Sequence, residues 1–184
     1  QRGLDLAPLV IMTYYNPVLK LGHERFAAMA REAGAAGVIV PDLTPEEADS
    51  WVEAAWKHDL DTIFMAAPTT TKERLDAVVE KCRGFLYYVS ITGVTGAGLD
   101  ISPELLSGLK LAQEKASVPV AVGFGVSTPD QAQALARVCE GVIVGSAIIR
   151  LIQENPARPD QVRAVKEFTE NMRQGLKVET EGET

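Results

Sequence analysis

The chain has 184 residues, with a hydrophobic fraction of 46% and a charged fraction of 23%, which are ordinary values for a globular domain. Its formal net charge of -7 argues against nucleic acid or an anionic membrane as the main partner, since both require basic patches. No apolar run approaches the roughly 18 residues that span a membrane, and no signal-peptide pattern opens the chain. We therefore predict a single domain over residues 1–184, located in the cytoplasm, with a polar tail at 177–184.

Six short apolar runs alternate with helical patterns, and each is predicted to be a strand. In chain order these strands cover residues 8–13, 37–40, 61–66, 85–90, 118–122 and 142–144. Apolar residues recur between them at helical spacing and predict the buried faces of the helices. These faces are Phe26, Met29, Ala30 and Ala33; Trp51, Ala54, Ala55 and His58; Leu75, Val78, Val79 and Cys82; Leu105, Leu109 and Ala112; Ala132, Leu135, Ala136 and Cys139; and Val162, Val165, Phe168 and Met172.

Several helix starts carry their own signals. A threonine followed three residues later by glutamate or glutamine is typical of a capping box, in which two side chains satisfy the free amides of the first turn. This pattern predicts caps at Thr44, Thr70 and Thr128. Ser102 followed by Pro103 marks another helix start.

Cysteine and histidine give no metal site. Cys82 and Cys139 fall on apolar helix faces, where they are best interpreted as core residues in a reducing compartment. Neither His23 nor His58 has metal-ligand spacing to a partner. We expect neither a metal nor another cofactor.

The alternation of strands and helices predicts a parallel sheet covered by helices. An open doubly wound sheet often carries its glycine-rich fingerprint after the first strand, and no such motif follows the first strand here. The pattern therefore favours an incomplete (β/α)8 TIM barrel. A full barrel has eight units in about 250 residues. We expect the six units to be strands 3 to 8 of an N-terminally truncated barrel, with an open edge on the first strand present.

Two glycine turns follow the last two predicted strands. The first is Gly123-Phe124-Gly125 and the second is Gly145-Ser146, which opens a short helical run. Glycine lets a backbone approach a ligand closely, and the free amides of a helix start attract anions. In barrels, a phosphate site commonly lies after strands 7 and 8. The pair predicts phosphate binding, although either turn alone is more often structural.

Several motifs resemble the tryptophan synthase alpha chain family in order and spacing. They cover the chain from about Pro8 to Glu154 and are YYNP at 14–17, VIVPDL at 38–43, PTT at 68–70, YYVSITGVTG at 87–96, VGFGVS at 122–127 and VGSA at 144–147. The resemblance implies a TIM-barrel lyase of tryptophan biosynthesis. It would split indole-3-glycerol phosphate into indole and glyceraldehyde 3-phosphate, and would work with a beta chain in an alpha2beta2 heterotetramer.

The resemblance also implies roles for individual residues. Tyr14, Tyr87, Thr95 and Phe124 would line the substrate pocket; Gly96, Gly125, Gly145 and Ser146 would bind phosphate; Asn16, Pro17 and Asp42 would face the beta chain. The family's catalytic glutamate and aspartate have no counterpart here, because their positions would lie upstream of residue 1. We therefore expect the chain alone to be inactive.

Simpler interpretations remain for these residues and for the whole chain. Tyr14 and Tyr87 could pack the barrel, Thr95 could serve turn chemistry, and Asp42 could form a local turn leading to Thr44. For the whole chain, one alternative is a non-catalytic module that binds phosphate or a partner. Another is a different phosphate-sugar barrel isomerase.

Overall fold

Strands and helices alternate along the part of the chain that this computed structural model describes, residues 7–89, 101–123 and 125–176. The strands are Leu9–Met12 (β1), Ala35–Ile39 (β2), Asp61–Ile63 (β3), Met65–Ala66 (β4), Leu86–Val89 (β5), Val120–Gly123 (β6) and Gly141–Ile143 (β7). The helices are Tyr15–Leu21 (α1), His23–Glu32 (α2), Asp49–Lys57 (α3), Lys72–Glu80 (α4), Pro103–Lys115 (α5), Pro129–Ala136 (α6), Ser146–Glu154 (α7) and Arg158–Gly175 (α8), with a 3-10 turn at Pro45–Glu47.

The contacts divide the chain into two units. The first comprises Gln1–Ala66, Thr70–Leu86 and Lys115–Val118, and the second comprises Ala67–Thr69, Tyr87–Glu114 and Pro119–Thr184. The single domain expected from the sequence stays a prediction, and the expected tail at 177–184 lies outside the described residues.

The first unit contains a parallel sheet in the order β1-β2-β3. Strand β2 is hydrogen-bonded on both sides and almost wholly buried, which explains its continuous apolar sequence. Strand β1 lies at the edge of this sheet, as expected, and Leu9 and Met12 are each 55% exposed.

Helix α3 supplies the largest side chain in the core of the first unit. Trp51 is 1% exposed and meets Phe26 edge-on, with ring centroids 5.7 Å apart.

The buried Thr62 hydroxyl accepts a hydrogen bond from the Trp56 indole N–H at 2.9 Å and donates to the Lys81 carbonyl at 2.6 Å. Both hydrogen-bonding capacities of that hydroxyl are therefore used, which offsets the cost of its burial.

The second unit places β5, β6 and β7 side by side, and β6 and β7 are parallel. Helix α5 buries Leu105 and Leu109, as predicted, and Gly108 on the same helix lies against the Tyr88 hydroxyl. A Cβ at position 108 would overlap that hydroxyl, so a larger residue there would require Tyr88 to shift. Within the described ranges, no helix is both long enough and apolar enough to cross a membrane.

Helix α1 follows β1 over residues for which the sequence predicted no helix. Two expectations about local structure are wrong. The predicted inner face of α2 is shifted, because Ala27 and Ala30 are buried whereas Met29 is 50% exposed. The strand expected over residues 61–66 is interrupted between β3 and β4.

The three predicted capping boxes have different outcomes. The box at Thr128 is confirmed, with both reciprocal hydrogen bonds present. At α4 the cap is Thr71 and not Thr70, because the Thr71 hydroxyl accepts the hydrogen bond from the Arg74 amide. Thr44 caps no backbone amide, since it precedes a 3-10 turn and its hydroxyl donates to the Glu47 carboxylate at 3.3 Å.

Candidate functional site

The glycine turns after β6 and β7 lie at the same edge of adjacent parallel strands. Gly123 and Ile143 are directly paired in the sheet. Gly125 and Gly145 each come two residues beyond this pair, so the two turns leave the sheet together. Gly125 has φ +64°, a conformation that favours glycine. Among the residues that the structure describes, no atom lies within 4 Å of a Cβ built on either Gly125 or Gly145, so neither glycine is crowded by them.

Helix α7 begins directly at the second turn. Gly145 is its N-cap residue, and its carbonyl accepts hydrogen bonds from the amides of Ile148 and Ile149 at 3.0 and 3.3 Å. The first turn contains no acidic residue, and Gly145 has no side chain that could cap the helix. The earlier amides of the turn have no partner within the helix, so they form a partially positive site beside the exposed Ser146.

Tyr87 on β5 lies against the end of β6. A Cβ on Gly123 would be 2.8 Å from the Tyr87 hydroxyl oxygen, so the absence of a side chain at Gly123 permits this approach. Burial raises the pKa of the Tyr87 phenol. The hydroxyl therefore stays protonated at neutral pH and can donate a hydrogen bond near the first glycine turn.

Asp42, in the first unit, joins the loop after β2 to the start of α1. Its Oδ1 atom accepts a hydrogen bond from the Tyr15 amide at 2.8 Å. The carboxylate thus binds the first amide of α1 from a distant part of the chain. The bond holds Asn16 and Pro17, in the first turn of α1, beside the Asp42 loop.

Tyr15 extends this connection to α2. Its hydroxyl lies 2.9 Å from Nε2 of His23, and the two rings are stacked with centroids 5.7 Å apart. Burial, with a smaller contribution from the Glu47 charge, raises the pKa of the Tyr15 phenol. No local sequence pattern indicates this role of Tyr15, because Asp42 contacts its backbone amide from 27 positions away.

The predicted site residues that the structure describes are therefore distributed over the two units. Tyr14, which is 69% exposed, lies in the first unit with Asn16, Pro17 and Asp42. The second unit contains Tyr87, Gly125, Gly145 and Ser146. Three further predicted residues, Thr95, Gly96 and Phe124, lie outside the described residues.

The sequence matches a known protein family. The family described as "Tryptophan synthase alpha chain" matches residues 2–177. The chain belongs to the tryptophan synthase alpha chain family. The alpha chain of Geobacter sulfurreducens is 46% identical over 169 residues, which cover 92% of this chain and 64% of the relative. That of Methanocaldococcus jannaschii is 41% identical over 161 residues, which cover 88% of this chain and 57% of the relative.

Solved structures of tryptophan synthase also match. The tryptophan synthase a2b2 complex of Pyrococcus furiosus gives a TM-score of 0.81 at 36% identity, covering 91% of this chain and 67% of the solved chain. The alpha chain of Legionella pneumophila gives 0.83 at 35% identity, covering 96% and 65%. The predicted fold class, an incomplete TIM barrel, is confirmed by these structures. The chain spans somewhat less than two thirds of the curated relatives named above, 64% and 57%.

Proposed function

We propose that this member of the tryptophan synthase alpha family binds indole-3-glycerol phosphate and contributes to its cleavage into indole and glyceraldehyde 3-phosphate, a step of tryptophan biosynthesis. The observation that carries the proposal is the paired exit of the two glycine turns, with neither Gly125 nor Gly145 crowded by the described residues. The alternative of a barrel isomerase is not favoured, because the named relatives and solved structures are tryptophan synthase chains.

The phosphate of the substrate would lie between the two turns. The first-turn amides of α7 would donate to its oxygens, and the Ser146 hydroxyl would add a further donor. This local site suits a protein of net charge -7, because backbone dipoles attract the anion without a basic surface. Gly96 is the remaining residue that the resemblance predicts to bind the phosphate.

The remainder of the substrate would extend toward Tyr87, whose hydroxyl is held against Gly123. Tyr14, Thr95 and Phe124 are the other predicted lining residues. Cleavage requires one proton delivered to the indole ring and another removed from the glycerol hydroxyl, tasks that suit a neutral and an ionised carboxyl group. The residues of this chain named above would bind and orient the substrate for that proton transfer.

The partner would be a tryptophan synthase beta chain, as in the a2b2 complex of the Pyrococcus furiosus protein. The hydrogen bond from the Tyr15 amide to Asp42 supports this assignment, because it ties the first turn of α1, which contains the exposed Asn16 and Pro17, to the loop that contains Asp42. We place the reaction in the cytoplasm. Both Cys82 and Cys139 are buried and free, as expected in a reducing compartment, and burial raises the pKa of the Cys82 thiol to about 11.

The phosphate site is tested by calorimetry with glycerol 3-phosphate. We expect Ser146→Glu to abolish binding, because the new carboxylate would occupy the anion site and repel the phosphate. Ser50→Glu is the matched control, since Ser50 is also an exposed serine in the first turn of a helix, α3. It should bind like the unchanged chain. Equal affinity of the Ser146→Glu variant and the unchanged chain would refute the phosphate site.

Activity is tested separately by following indole release from indole-3-glycerol phosphate. The chain alone should release none, although it should still bind glycerol 3-phosphate. Appreciable turnover would show that our assignment of the proton-moving groups is wrong, because groups within these 184 residues would then be moving the protons.

A further inference from the structure

The first unit contains a cavity of about 220 Å³ that no part of the proposed reaction uses. It lies where the chain leaves β2 and β3, between the loop that follows β2 and the first turns of α4. Its lining combines an apolar wall with two opposite charges. The apolar side chains include Leu43, Phe64, Met65 and Val78, and the charged ones are Asp42 and Arg74.

Both charged groups have capacity for a ligand. The Oδ1 atom of Asp42 is engaged by the Tyr15 amide, whereas Oδ2 makes no hydrogen bond within the described ranges. Arg74 has a long contact of 3.9 Å with Glu46, and both side chains are about half exposed, at 51% and 57%. An exposed ion pair of this kind contributes little, so a ligand carboxylate can replace Glu46 at the guanidinium.

We propose that this cavity binds a small zwitterion with an apolar side chain, of the α-amino acid class. The ligand carboxylate contacts Arg74, the ammonium contacts Asp42, and the side chain packs on the wall formed by Phe64, Met65 and Val78. This inference does not rest on the proposed lyase function, because none of the residues that bind the ligand belongs to the glycine turns.

Charge and size exclude other ligand classes. A simple anion would meet the Asp42 carboxylate, and a neutral apolar molecule would cover two charges without pairing them, which is costly. A volume of 220 Å³ is below the roughly 300 Å³ at which pockets for larger ligands begin. An apolar amino acid has suitable charges and a suitable size.

Calorimetric titration of the chain with L-leucine tests the proposal. We expect saturable binding, and we expect two analogues that each lack one charge, 4-methylpentanoate and 3-methylbutylamine, to bind at least about tenfold more weakly. Equal binding of 4-methylpentanoate would overturn the proposal in favour of an anion site. Absence of saturable L-leucine binding at millimolar concentration would also overturn it.

Two variants assign the binding to this cavity. Asp42→Asn keeps an acceptor for the Tyr15 amide but removes the charge, and Arg74→Gln removes the guanidinium, so each should weaken L-leucine binding about tenfold or more. Arg163→Gln, which alters an exposed arginine paired with Asp160 on α8, is the control and should bind normally. Circular dichroism would verify folding of each variant. Unchanged affinity in both test variants would contradict the site, and normal binding by Ser146→Glu would separate it from the phosphate turns.

Discussion

Helices α3 and α7 differ in how much of their apolar surface is covered. Both carry apolar residues at helical spacing, yet α3 buries Trp51 and Ala55 whereas no residue of α7 is buried. Ile149 and Ile152 on α7 are 58% and 42% exposed. Apolar spacing therefore predicts which face of a helix avoids water, but not whether other elements cover that face.

The largest effect should come from the covered helix. Trp51→Ala removes a side chain that is 1% exposed and contacts Phe26, so it leaves a cavity in the first unit. We expect a loss of about 3 to 5 kcal/mol in the free energy of unfolding, measured by urea denaturation. Leu19→Ala, at a leucine that is 51% exposed, is the control for the same unit. A loss below about 1 kcal/mol would show that α3 is less tightly packed than described.

An intermediate effect is expected on α5, which tests whether the second unit also has a tight core. Alanine normally stabilises a helix interior relative to glycine by about 1 kcal/mol. Gly108→Ala should instead destabilise by about 1 to 3 kcal/mol, because the added Cβ overlaps the Tyr88 hydroxyl. Thermal denaturation shows directly whether Gly108→Ala raises or lowers the stability of the chain.

The contact between position 108 and the Tyr88 hydroxyl can also be tested by removing the hydroxyl. In a Tyr88→Phe background the hydroxyl is absent, so Gly108→Ala should cost much less. An equal cost in both backgrounds would place the strain elsewhere. Ser107→Ala, at the neighbouring exposed position on α5, controls for the change in helix propensity.

The smallest effect is expected on the uncovered helix. Ile149→Ala shortens a side chain that is 58% exposed, so the free energy of unfolding should change by less than about 0.5 kcal/mol. Urea denaturation of Ile149→Ala and Trp51→Ala under the same conditions compares their free energies of unfolding directly. If Ile149→Ala costs about 2 kcal/mol, the apolar face of α7 is covered in solution and the contrast with α3 fails.

Local chemistry made several features predictable. The Thr128 box needs only residues 128–131, and the Ser102 hydroxyl accepts from the Leu105 amide three residues later. The cap of α4 was misplaced by one residue, because Glu73 follows Thr70 at the spacing of a capping box, whereas the helix begins at Lys72 and uses Thr71. The register of the first turn then depends on how α4 packs through Leu75 and Val78.

The family was predictable from the order and spacing of the motifs, and the match over residues 2–177 confirms it. The phosphate site, inferred from glycines after two successive apolar runs, stays a prediction. The bond from Tyr15 to Asp42 was not predictable, since it joins residues 27 positions apart through a backbone amide. The cavity beside Arg74 likewise combines two loops that are distant in sequence.

The amino-acid order by itself determined the alternation of strands and helices, the glycine turns and the family, because these depend on neighbours within a few residues and on motif spacing. Tertiary structure alone decided which apolar faces are covered, where α1 begins and which charges meet in the cavity of the first unit. The physical reason is that burial and long-range hydrogen bonds require surfaces from distant segments, and their positions are known only once the chain has folded.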